Sequence, residues 1–92
     1  SGGKIENVYR LQVMNATEST QKYRISARGL PGLALASDGL ISVDATEARW
    51  VPVTLQLPYE GAKPGSHEIH FDIDAVNSAG RVTEKSVFLV PR

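Results

Sequence analysis

Glu68, His70, Asp72 and Asp74 recur at every second position. On a β-strand that spacing puts all four on one face, with neighbours about 6.6–7 Å apart. Imidazole and carboxylate are both competent metal ligands, so His70 and Asp72 are candidate ligands, with Met14 as a soft sulfur that copper would favour. The competing use of such a row is plainer. Outward faces of antiparallel strands are normally charged, and a solvated or salt-bridged face is the default expectation. His67 and His70 look like a chelating pair, but an odd offset on a strand sends them to opposite faces. Met14, the single methionine, has packing near the end of its strand as its ordinary role.

Catalytic groupings are sparse. Ser37-Asp38 and the two histidines are the nearest approach to a nucleophile–base set, and neither a Gly-x-Ser-x-Gly elbow nor a glycine-rich phosphate loop occurs. The sequence therefore points away from an enzyme. Trp50, Tyr59, Tyr9 and Tyr23 would make a sugar-stacking platform only if several were exposed and coplanar. Tyr9, Tyr23 and Trp50 fall where packing is expected, while Tyr59 sits in a loop. Asn15-Ala16-Thr17 fits an N-glycosylation sequon, a pattern of low specificity. Lys22, Arg24 and Arg28 alternate along one segment and form a candidate partner surface for an acidic protein, against the default of a solvated face. Unpaired sheet edges offer a second generic partner site, through strand addition.

Lys plus Arg and Asp plus Glu each total 10, a net charge of zero. That balance argues against nucleic acid, which needs clustered cations, and against direct binding to an anionic membrane surface. A hydrophobic share of 41% with 22% charged residues is that of a folded soluble domain, not a disordered chain. Cysteine is absent, so disulfides, thiolate ligation of an iron–sulfur cluster and a thiol nucleophile are all excluded. Apolar runs such as Val87-Phe88-Leu89-Val90 fall far short of the ~18–20 residues of a spanning helix.

The elements that position these residues are strands. Val8–Met14 turns Tyr9, Leu11 and Val13 to one face, and Gln21–Arg28 turns Tyr23, Ile25 and Ala27 inward. Gly29-Leu30-Pro31-Gly32 predicts a type II turn with Pro31 and Gly32 at its centre. Leu33–Ala36 and Leu40–Val43 read as a hairpin about Asp38-Gly39, and Asp44-Ala45-Thr46-Glu47 as a capped single helical turn. Trp50–Leu57 follows with its Val and Leu inward, and Pro52 must then sit where no ladder N–H is needed. His67–Val76 and Arg81–Val90 complete the set, joined by Asn77-Ser78-Ala79-Gly80. The register of that last pair is open, since Val87–Val90 is apolar on both faces and a bulge would explain it.

Seven strands at this spacing predict an all-β, immunoglobulin-like (fibronectin III-like) Greek-key sandwich without a disulfide. Residues 1–4 read as a linker or expression remnant and 5–92 as the domain, which suggests a piece of something larger.

Three stretches carry more information than the clusters do. Ile5-Glu6-Asn7-Val8-Tyr9-Arg10-Leu11-Gln12-Val13-Met14-Asn15, then Gly29-Leu30-Pro31-Gly32-Leu33, and last Glu84-Lys85-Ser86-Val87-Phe88-Leu89-Val90-Pro91 resemble the C-terminal domain of the FixG/CcoG family. The resemblance spans essentially the whole chain in the family's order. It implies an immunoglobulin-like domain on the periplasmic face of the bacterial inner membrane, attached to the membrane only through a parent protein. It further implies a parent with iron–sulfur clusters in its missing part, linked to assembly of the cbb-type cytochrome c oxidase and to copper handling. The domain itself is then expected to hold no cofactor and to contact oxidase-assembly or copper-handling factors, or the rest of its parent. Two other readings stand beside it: a copper-binding module built on His70, Asp72 and Met14, and a carbohydrate-binding accessory module of a secreted protein.

Overall fold

Alternation of apolar and polar residues becomes seven strands in the computed structural model, which describes residues 3–92. They are β1 (Lys4–Met14), β2 (Gln21–Arg28), β3 (Ala34–Leu35), β4 (Leu40–Val43), β5 (Ala48–Pro58), β6 (Gly65–Ala75) and β7 (Arg81–Val90). One sheet has the order β1-β5-β3 and the other β4-β2-β6-β7, with every pairing antiparallel. The all-β sandwich expected from the sequence is what forms. Of the residues assigned to a linker, Ser1 and Gly2 lie outside the described residues, whereas Lys4 opens β1 opposite Pro58.

Inward rows from both sheets make one core. Phe71, Phe88, Leu55, Ile69 and Val43 are fully buried, packed among Ile5, Val13, Ile25, Val51, Val53 and Leu57. Burying a side chain of this size contributes about 1.5–3 kcal/mol, so a handful of them carries much of a small domain's stability. Tyr9 of β1 meets Phe71 of β6 edge-on, ring centroids 5.0 Å apart, and so ties the two sheets together.

The chain changes sheet at every connection except β6 to β7. This corrects the expected β3–β4 hairpin: β3 pairs with β5, and β4 pairs with β2 in the opposite sheet. Asp38-Gly39 is the crossing point. The Asp38 carboxylate accepts from Leu40 N–H, and the Gly39 carbonyl accepts from Ile25 N–H. Gly39 has φ 73°, and a Cβ there would strike the Ile25 carbonyl oxygen, so glycine is required for the crossing and not for a hairpin. The turn at Leu30–Leu33 forms as expected, with Gly32 at φ 81° and Leu33 N–H bonded to the Leu30 carbonyl.

One further expectation is revised, and one register left open by the sequence is settled. Asp44–Glu47 is a β-turn, not a helical turn: Glu47 N–H reaches the Asp44 carbonyl and Thr46 adopts φ 60°, which a right-handed helix cannot use. The β6–β7 hairpin runs in unbroken register from Asp74↔Arg81 to Gly65↔Val90, without a bulge. Its double-sided apolar end has a simple cause: Phe88 and Val90 are buried, while Val87 and Leu89 stand on the outer face, 45% and 57% exposed. Pro52 meets its constraint. Ala36 N–H donates to Thr54, so even-numbered positions of β5 face the β3 flank, and β3 ends before Pro52.

The Asn15 sequon is not a surface feature. Asn15 is buried, and its Nδ2 donates to the carbonyls of Ser19, Val43 and Asp44 at 2.8, 3.0 and 3.2 Å. Its Oδ1 accepts from Thr17 N–H and from Thr17 Oγ1–H. One side chain therefore pins the β1–β2 loop to the end of β4. Asn15→Ala leaves the buried Val43 carbonyl without its donor and releases the partly buried Ser19 and Asp44 carbonyls, and about 1–3 kcal/mol of destabilisation is expected in urea unfolding.

Candidate functional site

The outward row of β6 is where the sequence placed its chemistry, and β2 and β7 determine what that row becomes. Register sets Arg24 opposite Asp74, Ser26 opposite Asp72 and Arg28 opposite His70 on one side. On the other side Arg81 faces Asp74, Thr83 faces Asp72 and Lys85 faces His70. Asp72 and Asp74 are thus flanked by bases or hydroxyls on both neighbours, while Glu68 faces Val87.

Asp72 is the centre of this face. It is buried even though it lies on the outward row, because neighbouring side chains close over it. Arg28 Nε donates to Oδ2 at 2.9 Å, Thr83 Oγ1 donates to Oδ1 at 2.8 Å, and Arg81 Nη1 stands 3.8 Å from Oδ2. Its pKa is held below the ordinary carboxylate value, first by the Arg28 hydrogen bond and then by Thr83, against the opposing effect of burial. Asp74 takes Arg81 Nε at 2.7 Å and Nη2 at 3.2 Å. That paired geometry raises the Arg81 pKa still further.

Of the three metal candidates, His70 and Asp72 share a face but Met14 does not join them. His70 Nε2 lies 3.6 Å from Glu68, and both Asp72 oxygens are engaged by Arg28 and Thr83. Met14 ends β1 in the other sheet, 69% exposed. Among the described residues no three His, Cys, Asp or Glu side chains converge as a metal set. The candidate partner stripe also changes character. Lys22 and Arg24 are exposed, whereas the Arg28 guanidinium is held by Asp72, so Arg28 contributes to the sheet as well as to the stripe.

The aromatic residues divide in a way the sequence did not show. Trp50, expected in the core, is 55% exposed on the outer face of β5, with the Arg10 guanidinium 5.2 Å from its ring centre. Tyr59 is exposed as expected, but nine positions along the chain separate it from Trp50, roughly 30 Å in extended form. Tyr9 and Tyr23 are half-buried, so the four do not form a platform.

Asn7, to which the sequence assigned no role, and Tyr9, expected only to pack, join the sheets at one side. Asn7 Nδ2 donates to the Leu89 carbonyl at 3.1 Å, and its Oδ1 accepts from Leu89 N–H at 2.8 Å. Tyr9 Oη donates to the Val87 carbonyl at 2.8 Å, and burial pushes its pKa up to about 12. Starting β1 at Lys4 would have exposed the signal: Asn7 is a polar residue in the inward row Ile5, Asn7, Tyr9, Leu11, Val13. Farther along this side, β1 and β7 part around a cavity of about 420 Å³ floored by Tyr23, Ile73 and Ala75.

Comparison with known proteins adds the context. Residues 1–91 match the family model described as "IG-like fold at C-terminal of FixG, putative oxidoreductase". Immunoglobulin-like folds are generally non-catalytic scaffolds. A solved FixG-related protein from Vibrio parahaemolyticus superposes with a TM-score of 0.85 at 24% identity, over 96% of this chain and 81% of that one. A solved extracellular fragment of EsaA from Streptococcus gallolyticus covers 95% of this chain and 24% of its own, at 19% identity and a TM-score of 0.47, too loose to bear on this chain. No curated protein matches.

Two outcomes follow from the titrating groups. The folded pKa of Asp72 is depressed, so its stabilisation is present above the unfolded value of about 4 and is lost as pH falls through the folded one. Asp72→Asn should therefore cost about 1–3 kcal/mol at pH 7, with the gap to wild type closing below about pH 4. Tyr9 has the opposite sign. Its phenol contributes fully below pH 10 and loses that contribution as pH rises towards about 12. Tyr9→Phe should lose about 1 kcal/mol at neutral pH and show a shallower alkaline decline across that interval.

Proposed function

The chain belongs to the family of immunoglobulin-like domains found at the C-terminus of FixG, and on that premise we propose that it is a non-catalytic interaction domain. In this reading it stands on the periplasmic face of the bacterial inner membrane, carried by a FixG/CcoG-like iron–sulfur protein. It docks factors that assemble the cbb-type cytochrome c oxidase or hand over copper to it. The observation that carries the reading is the family match over residues 1–91.

The chemistry of the chain supports it. Without cysteine there is no thiolate for an iron–sulfur cluster, so redox chemistry belongs to other parts of the parent. Asp72 and Asp74, the most promising acids, are occupied in fastening β2, β6 and β7 to one another. Zero net charge with alternating signs on the four-stranded face disfavours indiscriminate electrostatic binding and suits selective protein contacts.

Affinity capture tests it. With the 92-residue chain as bait on native membranes of a bacterium that makes the cbb-type oxidase, oxidase-assembly or copper-handling proteins should be enriched at least tenfold over a bead control. Recovery at background level would overturn the proposal.

A further inference from the structure

Closure of the seam between β1 and β7 stops at Tyr9, and below it both strands keep unpaired edges. Leu89 and Val87 turn their backbone groups towards Asn7 and Tyr9 of β1, so odd-numbered positions of β7 face the seam. Thr83 and Lys85 point the same way, and among the described residues their N–H and C=O groups have no partner. Across the gap β1 behaves likewise. Odd-numbered β5 residues face β1, and the register Tyr9↔Val53 matches odd with odd, which leaves Gln12 and Met14 with backbone groups directed into the seam. Two bare strand edges thus look at each other over an apolar floor of Tyr23, Ile73 and Ala75.

We propose that this open half of the seam is a docking groove for one extended segment of a partner protein, with apolar side chains at alternate positions and a Lys or Arg facing Glu84. It deepens the interaction reading above and rests on it. Strand addition supplies main-chain hydrogen bonds for affinity and alternate side-chain pockets for specificity. The cavity of about 420 Å³ fits that use. Met14 and Val82 stand at its lips, 69% and 56% exposed, and offer apolar surface to an incoming strand.

Charge selects the partner. Of the two charged residues lining the groove, Arg81 is already held by Asp74 and Asp72, whereas Glu84 has no ion pair among the described residues. The uncompensated charge of the groove is therefore negative. A cation on the incoming segment neutralises it.

Selection of random twelve-residue peptides on the 92-residue chain, followed by NMR titration of the best synthetic peptide, tests the assignment. The selected sequences should alternate apolar residues around a Lys or Arg, and the peptide should slow hydrogen exchange at the Thr83 and Lys85 amides. Val82→Lys and Glu84→Lys, both exposed, should keep the amide spectrum of the folded domain and weaken binding at least tenfold. Replacing the peptide cation with Glu should restore binding to Glu84→Lys. Peptide shifts centred on Trp50, no recovery on charge exchange, or a concentration-dependent dimer abolished by Val82→Lys would each overturn the groove. If the Val82→Lys chain captures membrane partners as wild type does, the groove fails while the interaction reading stands; loss of capture by wild type itself defeats that reading instead.

Discussion

Two strands that are the edges of different sheets meet along one side of this molecule, and neither can complete a ladder with the other. Packed sheets lie about 10 Å apart and ladder strands about 4.8 Å, so backbone cannot reach backbone across the seam. Side chains make the span instead. The carboxamide of Asn7 carries the same donor and acceptor as a peptide group, and it takes both groups of Leu89 as a third strand would. Tyr9 reaches farther, to the Val87 carbonyl, while its ring edge rests on Phe71. After Tyr9 the inward row continues with Leu11 and Val13, which carry no polar end. The point where the seam opens is therefore written in the order of five side chains.

The same economy governs the residues that first suggested chemistry. A buried carboxylate without partners would be protonated or would destabilise the fold. Asp72 avoids both because Arg28, Thr83 and Arg81 arrive from the two neighbouring strands at the same level. Once those contacts are made, the charge is well suited to holding strand register and poorly suited to binding a metal. Asn15 serves loop geometry in the same manner. Its amide answers three carbonyls from two chain segments, leaving Nδ2 no access to a glycan.

Much of the fold was legible because period two is a strong signal wherever one face is buried. β2 and β5 follow their alternation closely, β6 does so except at the buried Asp72, and Pro52 announced a flank free of ladder bonds. Sheet assignment was harder to read. A sequence such as Asp38-Gly39 states that the chain bends but not which sheet receives it, and Gly39 is needed for its approach to Ile25, a contact far away along the chain. Thr46 misled for a related reason: its left-handed conformation is held by a bond from its N–H to Thr17, which no local pattern can show. The candidate site was legible as a row of residues and not as an environment. Exposure of Trp50 and burial of Asp72 both depend on which side chains neighbouring strands supply, and that is a property of register between distant segments.

Edge protection explains why the lower seam stands apart from the rest of the surface. Sheets with bare edges invite other strands, and proteins blunt them locally. Along β4 the outward-facing Leu40 N–H is taken by Asp38, and the Ser42 carbonyl by Arg49. On β5 the flank beyond β3 presents Pro52, which has no N–H to offer. The upper part of β7 is capped by Asn7 and Tyr9. Each device is specific to its edge, and each uses a residue type that could easily have been something else. The stretch of β7 around Thr83 and Lys85, facing Gln12 and Met14, has none of them, and it borders an apolar cavity whose Glu84 carboxylate has no ion pair among the described residues. A border left bare over an apolar floor gives an incoming strand both backbone groups to pair with and a surface on which to bury its apolar side chains.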